Sequence, residues 1–316
     1  MTDGFDFGVG TLYPFLGKSD EDKRKMINSL GPLWDGNEVW LITAGGVTFA
    51  AFPLVYAVMF SSLYTALMLI LFALILRGVS FEFRGKVDHP AWRKVWDACI
   101  FIGSFAPALL FGVAFGNIFQ GVPINQEGIF QGNLFTLLNP YGILSGLLFV
   151  ALFLVHGALW LAIKTDGDLH DRAAATANRL WPVLLGVSVV FLIATTMFTP
   201  LYGNYLAYPV LFLVPLAAVA ALLGVKFFLA RQAYFKAWFS SAATIVFCTF
   251  FGVVGLFPNL FPSSIDPAYS LTALNASYSP LTLRIKLIVV ILFIPVVLVY
   301  QIWAYFMFSK KLTEED

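Results

Sequence analysis

The chain has 316 residues, of which 59% are hydrophobic and 12% are charged, and its formal net charge at pH 7 is +1. Soluble domains carry about 25% charged residues, so this composition excludes an ordinary soluble protein and predicts a polytopic membrane protein. The balanced charge also excludes a general attraction for nucleic acid. Cys99 and Cys248 both lie in apolar segments, and we interpret them as packed thiols, not as a disulfide or a metal pair.

Apolar stretches of about 20 residues, the length that a transmembrane helix needs, recur along the whole chain. They predict a single all-α integral membrane domain with nine spans, at residues 1–16, 37–55, 57–76, 95–117, 141–163, 181–200, 207–229, 237–258 and 284–308. The long apolar stretch that contains the second and third spans is divided near Pro53. The first of these spans is short for a membrane helix.

The basic residues predict the orientation of these spans. Of 19 Lys and Arg residues, 17 follow the first, third, fifth, seventh and ninth spans, while Arg284 and Lys286 begin the last span. The positive-inside rule assigns those five connections to the cytoplasm. The N-terminus is therefore predicted to lie outside and the C-terminus in the cytoplasm.

Two pairs of carboxylates lie in the first two spans. Asp3 and Asp6 are three residues apart and share one helix face, and Asp6 is about 16 Å from the inner end of its span at 1.5 Å per residue. Asp35 and Glu38 are also three residues apart and begin the second span from the cytoplasmic side. Charged groups inside a membrane each cost about 3 kcal/mol and usually serve a function. The four side chains are predicted to form a proton pathway from the cytoplasm to mid-membrane.

Structural alternatives stay open for these residues. Asp35 is equally consistent with a helix cap, and Asp6 with a structural carboxylate whose hydrogen bonds are satisfied. For Asp97, at the start of the fourth span, anchoring at the membrane interface or pairing with Arg93 is favoured over a proton role. Trp40 is interpreted as a packing residue or as lining a path, because it lies nearly two turns inside the second span.

The chain by itself is poorly equipped for redox chemistry. His156 is the one histidine predicted inside a span, and we interpret it as a packed or hydrogen-bonded side chain. Haem with two axial histidines requires a second one, and His89 and His170 are predicted in inner connections. The sequence also lacks a Cys cluster, a Gly-rich phosphate loop and a nucleophile triad. These features predict a proton-handling or scaffolding partner of another subunit.

Three segments carry a resemblance to a known family. They are "TDGFDFGVG" at 2–10, "INSLGPLWDGNEVWLITAGGVTFAAFP" at 27–53 and "WDACIFIGSFAPALLFGVAFGNIFQGVP" at 96–123, and "FPNLFPSS" at 257–264 adds to them. Together they resemble subunit II of the cytochrome bd-type quinol oxidases, and the similarity extends over essentially the whole chain. The block "WDGNEVWLITAGG" is its most specific part.

The resemblance implies a multi-pass subunit of a terminal oxidase in the bacterial cytoplasmic (inner) membrane. Such oxidases take electrons from membrane quinol at the outer side and reduce dioxygen to water. Subunit I carries the quinol site, two haems b and one haem d, and a small single-span subunit often accompanies the pair. Subunit II holds no haem and is not catalytic alone; its fold has nine helices, in two four-helix bundles plus one peripheral helix. Whether a structural quinone binds this chain stays open.

The resemblance also implies roles for single residues. Asp35 matches the aspartate at which protons enter, and Asp3 and Asp6 match carboxylates further along that route. Glu38 stands where some relatives have Gln. Trp40 matches a tryptophan beside an oxygen-access path.

One departure concerns the start of the chain. Family members have about half a helix of apolar residues before the "DGFD" motif, whereas this chain begins at Met1, two residues ahead of it. We therefore expect the first helix to be truncated here and the native protein to begin roughly 15–25 residues upstream.

Three functions remain open at this point. The first is an oxidase subunit that offers a proton route and an oxygen-access path, and the second is a purely structural scaffold subunit. The third is a stand-alone proton-coupled transporter. The third is disfavoured because Gly- or Pro-broken helices do not recur in matching places of two inverted halves, and nine spans divide poorly into such halves.

Overall fold

Helices make up nearly all of the regular structure in the computed structural model, which describes residues 1–312. The described residues form helices α1 (Thr2–Leu16), α2 (Asp20–Asn28), α3 (Trp34–Ala51), α4 (Pro53–Ser62), α5 (Tyr64–Phe83), α6 (Pro90–Gln120), α7 (Leu134–Leu137), α8 (Pro140–Lys164), α9 (Gly167–Phe198), α10 (Tyr202–Ala207), α11 (Leu213–Ala230), α12 (Tyr234–Leu256) and α13 (Pro280–Met307). Two short antiparallel strands, β1 (Asn259–Phe261) and β2 (Leu271–Thr272), pair in the connection before α13.

Seven of the described helical segments are long and apolar enough to cross a membrane. They are α5, α6, α8, α9, α12, α13 and the segment Pro209–Ala230, which contains α11. Helix α1 has only 15 residues, and α3 begins with the polar run "WDGNE". These two helices hold the first and second predicted spans, so the polar residues that mark the candidate site also reduce the apolar character of its helices.

The apolar stretch around Pro53 is divided twice. Helix α3 ends at Ala51 and α4 begins at Pro53, where a proline suits the first turn because it needs no hydrogen-bond donor there. A second break at Leu63 separates α4 from α5. Residues 57–76, predicted as one span, thus belong to two helices, one of 10 and one of 20 residues, and α5 is the one long and apolar enough to cross a membrane.

The core of the molecule lies around α1 and α8. Both helices are buried over most of their length, and they pack against each other and against α6. The axes approach closely at Gly8 and Gly157: a Cβ atom on Gly8 would lie 1.9 Å from the carbonyl oxygen of Phe153. Small residues at such a crossing let two membrane helices pack backbone to backbone. The crossing fixes α1, and with it Asp3 and Asp6, in the centre of the molecule.

The two helices α3 and α13 lie at the periphery. Asn37 is the one buried residue of α3, and none of the described residues of α13 is buried. They are connected to each other by hydrogen bonds between polar side chains, described below, and at one end by Lys286, which donates to the carbonyl oxygen of Ala50. The peripheral helices therefore meet the rest of the molecule mainly at the candidate site.

Candidate functional site

Helix α1 places two carboxylates in the protein interior. Asp6 is fully buried and Asp3 is 6% exposed. Because their neighbours on α1, Phe5, Phe7 and Val9, belong to the hydrophobic core, the two carboxylates are held among apolar side chains. Such groups require partners, since burying an unpaired charge is costly.

Arg77 from α5 is the cationic partner. Its side chain has no exposed surface, and its Nη2 donates to Asp3 Oδ1 at 3.0 Å and also to Glu38 Oε1 from α3. The guanidinium carbon lies 4.3 Å from the centroid of the Phe7 ring, which adds a cation–π contact. The positive-inside pattern predicts Arg77 in an inner connection after the third span, and this is wrong: Arg77 lies within α5 and joins α5 to α1 and α3.

Asp6 belongs to a second set of hydrogen bonds. Asn37 Nδ2 donates to Asp6 Oδ2 at 2.7 Å, and Tyr305 OH donates to Asn37 Oδ1 at 2.7 Å. Gln301 Nε2 also donates to Asn37 Oδ1 at 3.2 Å, and Gln301 Oε1 accepts from Trp40 Nε1 at 2.8 Å. These contacts connect α1, α3 and α13.

The predicted series of four carboxylates is brought together only in part. Asp3 and Glu38 share Arg77, and Asp6 follows Asp3 by three positions on the same face of α1. Asp35 is exposed in the first turn of α3 and makes no hydrogen bond or ion pair with the described residues. The helix-cap alternative for Asp35 is wrong, since the N-cap position of α3 is Leu33.

Several buried polar atoms of this site have no hydrogen-bond partner among the described residues. They are Asp3 Oδ2, Asp6 Oδ1, Arg77 Nε and Arg77 Nη1. The site also contains three carboxylates, of Asp3, Asp6 and Glu38, for the one guanidinium that is bonded to them. An arrangement with excess carboxylate and open acceptor positions can bind protons.

Asp97 has partners other than the predicted one. It accepts from Arg84 Nε at 2.6 Å, Lys23 Nζ at 2.7 Å and Tyr13 OH at 2.9 Å. The predicted pair with Arg93 is wrong: Arg93 instead bonds Asp88 at 2.7 Å and lies 3.5 Å from Asp20. Asp97, on α6, is therefore bonded to the C-terminal part of α1, to α2 and to the end of α5.

Two acidic residues of α2 support the same face of the molecule. Asp20 accepts from Arg84 at 2.8 Å. Burial acts to raise the pKa of Asp20, but the guanidinium groups of Arg84 and Arg93 hold that pKa below its ordinary value. Asp22 caps α2 and accepts from Arg172 Nη2 at 2.7 Å. Burial acts to raise the pKa of Asp22 too, but the Ser19 N–H and Arg172 lower it.

His156 is packed as predicted. It is fully buried, stacks on the Trp238 ring with centroids 5.1 Å apart and meets the Phe5 ring edge-on. Neither ring nitrogen has a hydrogen-bond partner among the described residues. Residues 1–312 contain no group of three His, Cys, Asp or Glu side chains that could hold a metal ion.

An apolar cavity of about 90 Å³ lies apart from the carboxylates, between α6, α8, α9, α11 and α12. Its lining includes Phe153, Phe191 and Cys248 and no charged residue. Trp40 is not part of this lining. The cavity and the predicted oxygen-access path beside Trp40 are therefore separate features.

Three further residues of the site, besides Arg77, were not predicted from the sequence. Asn37 lies inside the "WDGNE" motif and could have been noted as a polar residue one position before Glu38. Gln301 and Tyr305 lie in the last span, four residues apart and hence on one helix face. A polar pair at that spacing in an otherwise apolar helix was the available signal.

The chain is similar to known proteins over nearly its whole length. A family model described as cytochrome bd terminal oxidase subunit II matches residues 1–308. The chain is 41% identical to the probable cytochrome oxidase subunit 2 of Haemophilus influenzae, over 96% of this chain and 89% of that protein. It is 40% identical to the cytochrome bd-I ubiquinol oxidase subunit 2 of Escherichia coli, over 100% of this chain and 92% of that protein.

Further similarities come from a third relative and from a solved structure. The cytochrome bd ubiquinol oxidase subunit 2 of Bacillus subtilis is 35% identical, over 99% of this chain and 92% of that protein. The structure of bd oxidase from Geobacillus thermodenitrificans matches with a TM-score of 0.76 at 17% identity, covering 98% of this chain and 94% of that chain. The all-α polytopic fold and the resemblance are thereby confirmed. Membership implies a haem-containing partner subunit and a multi-pass place in a bacterial membrane.

The family model and the relatives from three organisms thus agree over nearly the whole chain. The chain belongs to the cytochrome bd terminal oxidase subunit II family, and it is accordingly the second subunit of a quinol oxidase.

Proposed function

We propose that this chain supports the haem-bearing subunit and offers the complex a proton route from the cytoplasm. In this proposal the partner holds two haems b and one haem d, oxidises quinol at the outer side of the bacterial inner membrane and reduces dioxygen to water. The observation that carries the proton route is that the buried Asp3 and the half-buried Glu38 share Arg77 while the buried Asp6 lies one turn along α1 from Asp3.

The charges of this group favour proton binding. One guanidinium balances one carboxylate, so two carboxylates remain in a region of low dielectric constant. Binding protons removes that excess charge without moving the backbone. Asp6, which accepts from the neutral Asn37 amide and makes no ion pair, is the member best suited to be loaded and unloaded.

Asp35 is suited to the start of the route. It is exposed at the predicted cytoplasmic end of α3, and Glu38 follows one turn deeper on the same helix face. Glu38 in turn shares Arg77 with Asp3. The proposed order is therefore Asp35, Glu38, Asp3 and Asp6.

Trp40 is proposed to border an oxygen-access path. Its indole ring lies half-buried on α3, and its nitrogen is already engaged by Gln301, so an apolar ring face remains for other contacts.

A scaffold without proton work is the second candidate. The observation that favours it is the Asp3–Arg77–Glu38 ion pairing, which joins α1, α5 and α3 and is sufficient as a structural role. A structural quinone and a small single-span subunit are compatible with both candidates.

Replacing single carboxylates in the assembled complex separates the two candidates. We expect Asp6→Asn and Asp35→Asn to lower quinol-driven oxygen uptake about tenfold or more, while the haem spectra stay normal. Asp88→Asn, on a side chain that is 93% exposed, is the matched control and should leave uptake unchanged. Normal uptake in both test variants with intact haems would leave the scaffold as the function.

A further inference from the structure

The hydrogen bonds between α3, α13 and α1 have a fixed direction. Trp40 Nε1 can only donate, so the atom of Gln301 that faces it is the oxygen Oε1. The carbonyl oxygen of Gly36 can only accept, and it lies 3.2 Å from the other end of the same amide, which is therefore Nε2. Two groups of fixed polarity thus determine the orientation of Gln301.

The orientation of Gln301 determines that of Asn37. Gln301 Nε2 donates to Asn37, so the Asn37 atom that faces α13 is Oδ1, and Tyr305 OH donates to the same oxygen. Asn37 is fully buried, and its Nδ2 is left to face Asp6 Oδ2 at 2.7 Å. The amide that meets Asp6 is therefore a donor.

We infer that Asp6 carries its proton on Oδ1, and that Gln301 and Tyr305 of α13 are the positioning residues that impose this choice. Oδ2 accepts from Asn37 and has no donor role, whereas Oδ1 is buried without a partner among the described residues. Protonation at Oδ2 would direct its hydrogen at the Asn37 amino group.

This inference deepens the proposed proton route and rests on it for its functional meaning. The proton would be accepted and released at the side of Asp6 away from Asn37. The charged and titratable groups around Asp6 are the Met1 amino group and Asp3 at the start of α1, Glu38 on α3, Arg77 on α5 and Tyr305 on α13. An Asn amide does not pass a proton through itself, so Asn37, Gln301 and Tyr305 hold Asp6 in place without forming part of the route.

Infrared spectroscopy of the assembled complex tests the inference without relying on turnover. The band of the protonated Asp6 carboxyl group is identified by its loss in Asp6→Asn. With the proton on Oδ1, the C=O bond is at Oδ2, and the hydrogen bond from Asn37 lowers its stretching frequency.

Gln301→Glu is designed to reverse the network. The new carboxylate can only accept, so Asn37 must turn its Nδ2 toward α13 and present Oδ1 to Asp6. The proton then moves to Oδ2, the C=O bond is left at the unpartnered Oδ1, and the band shifts to higher frequency. Tyr305→Phe removes one of two donors to Asn37 and should give a smaller shift of the same sign. Gln126→Glu, on an exposed residue, is the matched control.

A band that stays in place in both Gln301→Glu and Tyr305→Phe would overturn the inference, as would the absence of any Asp6-dependent band over the pH range in which the complex is intact. If Gln301→Glu loses its haems, Tyr305→Phe alone decides. Failure of the proposed proton route gives a different result. In that case Asp6→Asn shows normal oxygen uptake, while the Asp6 band of the unsubstituted resting complex and its shift in Gln301→Glu are unchanged.

Discussion

Arg77 shows how one side chain can hold a buried site together. Its guanidinium has no exposed surface and bonds carboxylates from two other helices. Removing one member of a buried charge pair is far more costly than removing a surface pair, because the remaining charges stay buried without compensation.

We expect Arg77→Leu to lower the free energy of unfolding of the complex by about 3–5 kcal/mol. Thermal unfolding and haem content of the purified complex measure the effect. Arg93→Leu, on a partly exposed arginine, is the control and should cost about 1 kcal/mol or less. Equal losses in the two variants would contradict the structural role of the buried pair. Glu38→Gln keeps an oxygen acceptor for Arg77, so it should lower the free energy of unfolding much less than Arg77→Leu does.

Asp22 provides a second prediction at the residue scale, outside the membrane spans. Its Oδ2 accepts from the N–H groups of Ser19 and Lys18, which closes the start of α2, and from Arg172. Burial acts to raise the pKa of Asp22, but these hydrogen bonds lower it overall. A lowered folded-state pKa stabilises the protein above the unfolded value of about 3.9, and this contribution is lost as the pH falls through the folded value.

Asp22→Asn should therefore lower stability by about 1 kcal/mol near neutral pH, and the difference from the wild type should shrink as the pH falls below about 4 and vanish once the pH is below the lowered folded-state pKa. Thermal unfolding of the complex as a function of pH checks this. Asp166→Asn is the matched control, since Asp166 occupies the N-cap of α9 without a capping hydrogen bond. A difference that grows on acidification would contradict the expected sign.

At the scale of elements, the α1–α8 crossing positions Asp3 and Asp6. A Cβ atom on Gly157 would lie 2.5 Å from the backbone nitrogen of Val9, so α1 and α8 cannot keep their distance if either crossing glycine gains a side chain. We expect Gly157→Ala to push the helices apart and to lower the yield of haem-containing complex. Gly186→Ala on α9 is the control: its Cβ would meet nothing within 4 Å, and alanine favours a helix by about 1 kcal/mol. Equal yields of haem-containing complex from Gly157→Ala and Gly186→Ala would contradict a close α1–α8 crossing that requires glycine.

Hydropathy does not reveal a helix boundary inside a uniformly apolar stretch, and it does not show how far a helix extends beyond an apolar segment. The break at Leu63 lies inside a continuous apolar stretch, so hydropathy gives no sign of it. Helix α9 begins at Gly167, whereas the predicted span begins at 181, because a helix can continue into polar residues beyond the membrane. Hydropathy therefore reports the apolar, membrane-crossing part of a helix and not the residues at which the helix begins and ends.

Some residues of the candidate site could be predicted from the sequence and others could not. Asp3, Asp6 and Glu38 were found because carboxylates stand out in apolar segments. Arg77 was missed because it lies near the end of an apolar run, where the positive-inside rule treats a basic residue as part of a connection. Tyr305 was missed because a tyrosine near the end of a span is typical of the membrane interface. In a single sequence, contacts between α1, α5 and α13 are not visible.

At the scale of the whole molecule, α3 is unusual because it is largely exposed and yet carries polar and small residues. A lipid-facing helix is normally apolar throughout, whereas α3 carries Asp35, the pair Gly45–Gly46 and Thr48. A Cβ on Gly46 would meet nothing within 4 Å, so this glycine is not required by packing within the chain. Small residues on an exposed membrane helix allow another helix to approach closely.

We therefore expect the haem-bearing partner to cover the Gly46 face of α3. Gly46→Leu should leave the chain folded, because space is open there, but should reduce the amount of partner that co-purifies in mild detergent. Gly186→Leu makes the same change at an exposed glycine of α9 that also has open space around it, and it should co-purify normally. The absorbance of haem relative to protein measures the outcome. Equal haem content in the two variants would place the partner on another face and would leave the exposed glycines of α3 to the lipid.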